Sequence, residues 1–148
     1  MRTTIEAKSA TSSHRLRVRF CETDLMGIVH HASYLAYFEA ARVSWLRRRG
    51  VTYARWAERG WHLPVVEASL RYRAPARFED VLEVETFLTE LRSHSLRYSY
   101  RVVRGAECLT EGQTRLACVD AAHQLQRIPD EVVGVLCSDE TQPDADGV

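Results

Sequence analysis

No stretch of this chain approaches the roughly 18 consecutive apolar residues that a membrane-spanning helix needs. The opening Met-Arg-Thr-Thr-Ile-Glu-Ala-Lys also lacks the apolar core of a signal peptide. Membrane insertion is therefore not expected, and the cytoplasm is the expected location. Cysteine is sparse. Cys21, Cys108, Cys118 and Cys137 are scattered without a C-x-x-C pair, which suggests neither a zinc site nor a disulfide-rich secreted scaffold. They are expected to be reduced and mostly to fill space. His62, His94 and His123 show no metal-ligand spacing, so neither a metal nor a cofactor is expected. An excess of one charge is missing too, since 20 Lys and Arg balance 20 Asp and Glu. No global field favours nucleic acid or an anionic membrane, and any site for a polyanion must be local.

The 148 residues suffice for one domain with a proper core. Residues 1–13 are small and polar, and residues 138–148 are acidic and free of aromatics. Both ends are expected to be flexible tails around a single unit at 14–137. From Arg15 to Phe20 the sequence alternates, with Leu16, Val18 and Phe20 on one face and Arg15, Arg17 and Arg19 on the other, the mark of a half-buried strand. Ser33 to Arg49 lacks breakers and predicts a helix. Ser33 is its candidate cap, Gly50 suits a left-handed ending, and Arg47, Arg48 and Arg49 suit a solvated, dipole-complementing role. Its first three turns are apolar on almost every side, as in a helix surrounded by protein. Glu39 and Arg42, three residues apart, are expected to pair. After a short helical stretch around 52–59, four strand-like runs follow, at 66–72, 82–88, 96–102 and 108–119. The pattern reads as an α+β architecture, an antiparallel five-stranded sheet wrapped around one long central helix. One helix cannot cover a long sheet, so a partner subunit is expected.

The segment Phe20-Cys21-Glu22-Thr23-Asp24-Leu25-Met26-Gly27-Ile28-Val29-His30-His31-Ala32-Ser33-Tyr34 sets a carboxylate, a glycine turn and two histidines directly before that helix. A helix N-terminus offers unpaired N–H donors and partial positive charge, which a developing oxyanion requires. A nearby aspartate could attack a thioester carbonyl or activate water. Taken alone, an aspartate in a Thr-Asp-x-x-Gly loop reads equally as a turn residue.

Phe20, Glu22, Thr23, Asp24, Gly27, Val29, His31, Tyr34, Tyr37, Phe38, Glu39 and Arg42 fall in one register that resembles the signature of the 4-hydroxybenzoyl-CoA thioesterase superfamily, specifically its YbgC-like acyl-CoA thioesterase branch. Weaker echoes at 72–80 and 92–96 extend the resemblance over about residues 14–130. It implies a hotdog fold, assembled as a dimer or as a dimer of dimers (a homotetramer), with active sites at the subunit interface. It implies an acyl-CoA substrate hydrolysed without metal. Asp24 would be nucleophile or general base. His31 would assist, its backbone N–H polarising the carbonyl. Arg92 and Ser93 would contact the coenzyme A phosphates, and Met26, His30 and Tyr34 would line the acyl pocket. The branch commonly carries an aromatic residue where this chain has His30, a departure that bears on the pocket. The alternatives are hydrolysis of an acyl carrier protein thioester by the same residues, a hotdog dehydratase, against which the Asp24–His31 register argues, and a non-catalytic acyl-CoA-binding hotdog protein.

Overall fold

The computed structural model describes residues 11–145. Five antiparallel strands, β1 (Thr11–Arg17), β2 (Val65–Tyr72), β3 (Val81–Leu91), β4 (Ser95–Arg104) and β5 (Glu107–Ala117), form one sheet in the order β1-β3-β4-β5-β2. Helix α1 (Ser33–Arg48) lies across its inner face, and α2 (Tyr53–Glu58) and α3 (Asp130–Leu136) are short. This is the hotdog architecture. The period-2 alternation positions it: Leu82, Val84 and Leu88 of β3, Leu96, Tyr98, Tyr100 and Val102 of β4, and Leu109 and Leu116 of β5 are buried, while Glu85 and Arg101 pair on the outer face. Helix α1 meets this floor through aromatics. Phe38 stacks flat on Tyr100 at 4.1 Å, and Trp45 sits edge-on to Tyr98 at 5.3 Å. Gly112 of β5 lies beneath Phe38, where a Cβ would come within 2.6 Å of the ring.

Several local expectations need correction. The first strand runs over Thr11–Arg17 rather than 15–20; Ser12, His14 and Val18 point inward, while Phe20 belongs to a short 3-10 turn and is exposed. Residues 11–13 are thus strand, and 1–10 lie outside the described residues. Residues 138–145 are tied down rather than loose. Asp144 accepts from Ser44 Oγ and from the backbone N–H of Arg15 and pairs with His14 Nδ1 at 3.1 Å, and Glu140 pairs with Arg48. The reason is that this acidic segment meets a basic and hydroxylated surface. Arg48 reaches Ser13 O, and Arg49 is buried over Trp45 with bonds to Ser12 Oγ and Ser138 O, so these two arginines are not the solvated set expected. The N-cap of α1 is Ala32, not Ser33. Arg42 donates to Tyr100 and makes no ion pair with Glu39.

One flank remains bare. Strand β2 bonds only to β5, and Val65, Val66 and Tyr72 on it are exposed. On α1, Leu35, Ala36, Glu39 and Ala40 are exposed as well, so the helix is covered on one side rather than all round.

Candidate active site

The loop between β1 and α1 is built by its own backbone. Asp24 N–H donates to Ile28 O and Gly27 N–H to Asp24 O, both at 2.9 Å, with Gly27 in the left-handed region at φ 75°, a geometry glycine adopts without strain. Asp24 Oδ1 accepts from the Met26 N–H at 2.9 Å, the turn-forming bond typical of aspartate. This fixes one carboxylate oxygen. Val29 N–H donates to Ala76 O, which anchors the loop to the segment after β2.

Glu22 organises the other side. Its carbonyl accepts from the His30 N–H and from Ser33 Oγ, and its carboxylate accepts from the Arg19 N–H and from the Tyr37 hydroxyl. Burial, reinforced by the Glu22 charge, pushes the Tyr37 hydroxyl pKa far above its ordinary value, so Tyr37 stays a neutral donor. Burial likewise raises Tyr34.

These constraints deliver Asp24, Met26, His31 and Tyr34 to one cavity of about 350 Å³, closed on its other side by Tyr72, Arg73, Ala74 and Pro75. The His31 carbonyl accepts from the Tyr72 hydroxyl at 2.9 Å, and the Tyr72 ring packs edge-on to Tyr34 at 5.5 Å. Among the described residues, nothing accepts a hydrogen bond from the His31 N–H. A half-buried carboxylate, an imidazole and an unclaimed backbone donor at a helix start are groups suited to acyl transfer to water.

Three of the expected site residues do not join the others. His30 stacks on His31 at 4.1 Å, and its Nδ1 accepts from the Ala32 N–H, so it sits behind His31 instead of in the cavity wall. Arg92 and Ser93 occupy the turn between β3 and β4, whereas the loop carrying Asp24 is anchored at the Asp80 end of β3. An eleven-residue strand separates the two, roughly 30 Å of extended chain. Arg92 pairs there with Glu90, and Ser93 shares a hydrogen bond with His94. Tyr72 and Arg73 went unnoticed as site residues because an alternating strand gives no sign that its last residues meet a helix start. The signal available was the Tyr-Arg-Ala-Pro run at 72–75, where the proline ends the strand beside the cavity.

The model of the thioesterase-like superfamily matches residues 18–136. The chain belongs to that superfamily. This thioesterase is 36% identical over 121 residues to the acyl-CoA thioester hydrolase YbgC of Escherichia coli, covering 80% of this chain and 90% of that one. It is 33% identical over 109 residues to the acyl-CoA thioesterase YbgC of Haemophilus influenzae, covering 73% and 80%. Among solved structures, TT1821 from Thermus thermophilus superposes with a TM-score of 0.79 at 46% identity, covering 86% of the thioesterase and 96% of that chain. The matched region contains the whole Asp24–Tyr34 loop and every strand except β1, which ends at Arg17. The protein is a thioester hydrolase.

Proposed function

We propose that this thioesterase hydrolyses acyl-CoA, with Asp24 as its central catalytic residue and no metal. The observation that carries the reading is the meeting of Asp24, His31 and the start of α1 in one cavity. The thioester carbonyl lies with its oxygen at the His31 N–H, where the positive end of the helix dipole also acts. Asp24, held by one oxygen through Met26 N–H, uses the other to attack the carbonyl carbon or to take a proton from water as that water attacks. His31 orients the carbonyl or the water. The C–S bond breaks and the thiolate leaves as coenzyme A; after direct attack, water then hydrolyses the acyl–Asp24 anhydride, and in either route the acid is released and Asp24 is regenerated.

The functional unit is a homo-oligomer, a dimer or a dimer of dimers. The unpaired edge of β2 and the exposed apolar positions Val65, Val66, Tyr72 and Leu35 favour an antiparallel pairing of β2 with a second copy. A two-fold axis through the middle of β2 places the Val65 end of one strand beside the Tyr72 end of the other. The β3–β4 turn lies toward the Val65 end, since Ser95 pairs with Ala117 and Val65 with Leu116. Arg92 and Ser93 of the second copy would thereby approach the cavity that their own chain keeps them from. Arginine suits phosphate through its paired donors.

The test is release of free thiol from acetyl-, hexanoyl-, palmitoyl- and benzoyl-CoA by wild type and by Asp24→Asn, a near-isosteric swap. Loss of a general base costs about 10²–10⁴-fold, so at least a hundredfold drop is expected. Single-turnover hydrolysis in H₂¹⁸O bears on the role of Asp24: ¹⁸O in the Asp24 carboxylate identifies direct attack followed by opening of the anhydride at Asp24 Cγ, whereas general-base catalysis, like opening at the acyl carbon, places it only in the released acid. No thiol release by wild type from any of the four would refute the acyl-CoA reading.

A further inference from the structure

A second cavity, of about 510 Å³, lies at the other end of the bare flank, and Arg42, Glu39, Tyr53, Leu63 and Val65 contribute to its wall. Arg42 is the unusual member. It is 7% exposed, and no carboxylate lies within ion-pairing distance of it among the described residues. Its Nη1 donates to the Tyr100 hydroxyl at 3.0 Å, and Tyr100 passes the chain on to Thr114 Oγ1 at 2.6 Å. Guanidinium stays charged at any physiological pH and carries five N–H donors. A cation buried among neutral tyrosines is costly unless an anion comes to it. Arg48, by contrast, meets Glu140, and Arg49 bonds to backbone carbonyls and Ser12 with the Glu140 and Asp139 charges acting on it.

The same two-fold pairing of β2 that completes the site sets this cavity of one copy, at the Val65 end, beside the Asp24 cavity of the other, at the Tyr72 end. An acyl chain whose carbonyl sits at His31 would then extend toward Arg42 of the second copy. Glu39 shares the wall but makes no ion pair with Arg42, whose hydrogen bond goes to Tyr100.

We propose that Arg42 is a specificity residue that receives a carboxylate at the far end of the acyl group, so that the preferred substrates are thioesters of dicarboxylic acids. The assignment rests on the acyl-CoA thioesterase reading and on the β2 pairing. Tyr100, backed by Thr114, and Tyr53 hold the guanidinium in place, and the N–H donors they leave are offered to the carboxylate, the group arginine binds best through paired donors.

The experiment compares kcat/KM for length-matched pairs, succinyl- with butanoyl-CoA, adipoyl- with hexanoyl-CoA and suberoyl- with octanoyl-CoA, in wild type, Arg42→Lys and Arg42→Met. Wild type is expected to favour the dicarboxylic member of at least one pair by tenfold or more. That ratio should fall at least tenfold in Arg42→Met and less in Arg42→Lys, with the change mainly in KM. Because Arg42→Met could fail to fold, adipate and hexanoate are also tested as inhibitors of hexanoyl-CoA hydrolysis by wild type, and stronger competitive inhibition by adipate is expected. A wild-type ratio near one in all three pairs, a ratio unmoved by Arg42→Met, or equal inhibition by the two acids overturns the assignment while hexanoyl-CoA hydrolysis upholds the thioesterase reading. If wild type hydrolyses none of the six thioesters, the assignment falls, and acetyl-, palmitoyl- and benzoyl-CoA decide whether the thioesterase reading falls with it.

Discussion

Replacing Gly112 by alanine tests the packing of α1 on the sheet with the smallest possible change. The added Cβ would lie 2.6 and 2.7 Å from two carbons of the Phe38 ring, closer than carbon atoms approach without displacement, and in a tight contact of 3.0 Å with Ser69 O. Phe38 cannot simply withdraw, because its ring is stacked on Tyr100 at 4.1 Å and is fully buried. The helix must lift or the ring must leave its rotamer, at a cost of about 1–3 kcal/mol for overpacking. Against this stands a gain of about 0.4–1 kcal/mol from the stiffer unfolded chain. The net expectation is a loss of about 1–2 kcal/mol, or a fall in Tm of about 3–8 °C for a chain of this size. Urea unfolding and calorimetry at one fixed protein concentration measure it, since the Tm of any assembly depends on concentration. Phe38→Leu in the alanine background should recover part of the loss relative to the two single changes added together. A Gly112→Ala protein as stable as wild type, or strictly additive effects of the two substitutions, would refute the argument.

Asp144 has its carboxyl pKa held below the usual value near 3.8: burial opposes this, but hydrogen bonds from His14, the Arg15 N–H and Ser44 outweigh it. A depressed folded-state pKa contributes stability that is present above the unfolded value and lost as pH falls through the folded one. Asp144→Asn should therefore lower stability at pH 7, by about 1 kcal/mol, and the gap to wild type should close below pH 3.8 in acid unfolding followed by circular dichroism. Tyr72→Phe removes the hydroxyl bonded to His31 O; kcat/KM on the best acyl-CoA should fall about threefold to tenfold with Tm almost unchanged, since one exposed hydrogen bond is worth about 1 kcal/mol. Val66→Lys sets a charge on the exposed strand that is proposed to pair with a second copy. Light scattering should show a smaller oligomer and activity should fall with it, whereas intact assembly would place the interface elsewhere.

The strands and α1 were legible because burial writes a period into the sequence. Leu96, Tyr98, Tyr100 and Val102 alternate with Arg97, Ser99 and Arg101, and Gly50 closes the long helix in the left-handed region, at φ 81°. Asp24, His31, Met26 and Tyr34 were legible for another reason: they are close in sequence, and a tight loop before a helix cannot carry them far apart. Where the reading missed, distance along the chain was the cause. The Asp144 and Glu140 contacts join residues about a hundred or more positions apart, and nothing in an acidic, aromatic-free segment distinguishes one that finds His14 and Arg48 from one that stays in water. Arg42 was assigned to Glu39 because helical spacing allows it, yet the tyrosine that claims it is 58 residues away.

The separation of Arg92 from Asp24 has the same root with a different consequence. A motif shared with relatives reports which residues cooperate, without reporting whether one chain or two supply them. Here one chain holds Asp24 and Arg92 at opposite ends of its sheet, while its bare β2 edge and the exposed Leu35 and Val66 mark the side on which a second copy would bring them together. If that is the arrangement, the Val66→Lys protein should lose affinity for coenzyme A itself along with its assembly. A change that removes one hydroxyl and keeps the ring on the β2 edge, such as Tyr72→Phe, should leave coenzyme A binding intact. Titration calorimetry with free coenzyme A distinguishes the two, and equal binding by both variants would mean that each chain grips the nucleotide unaided.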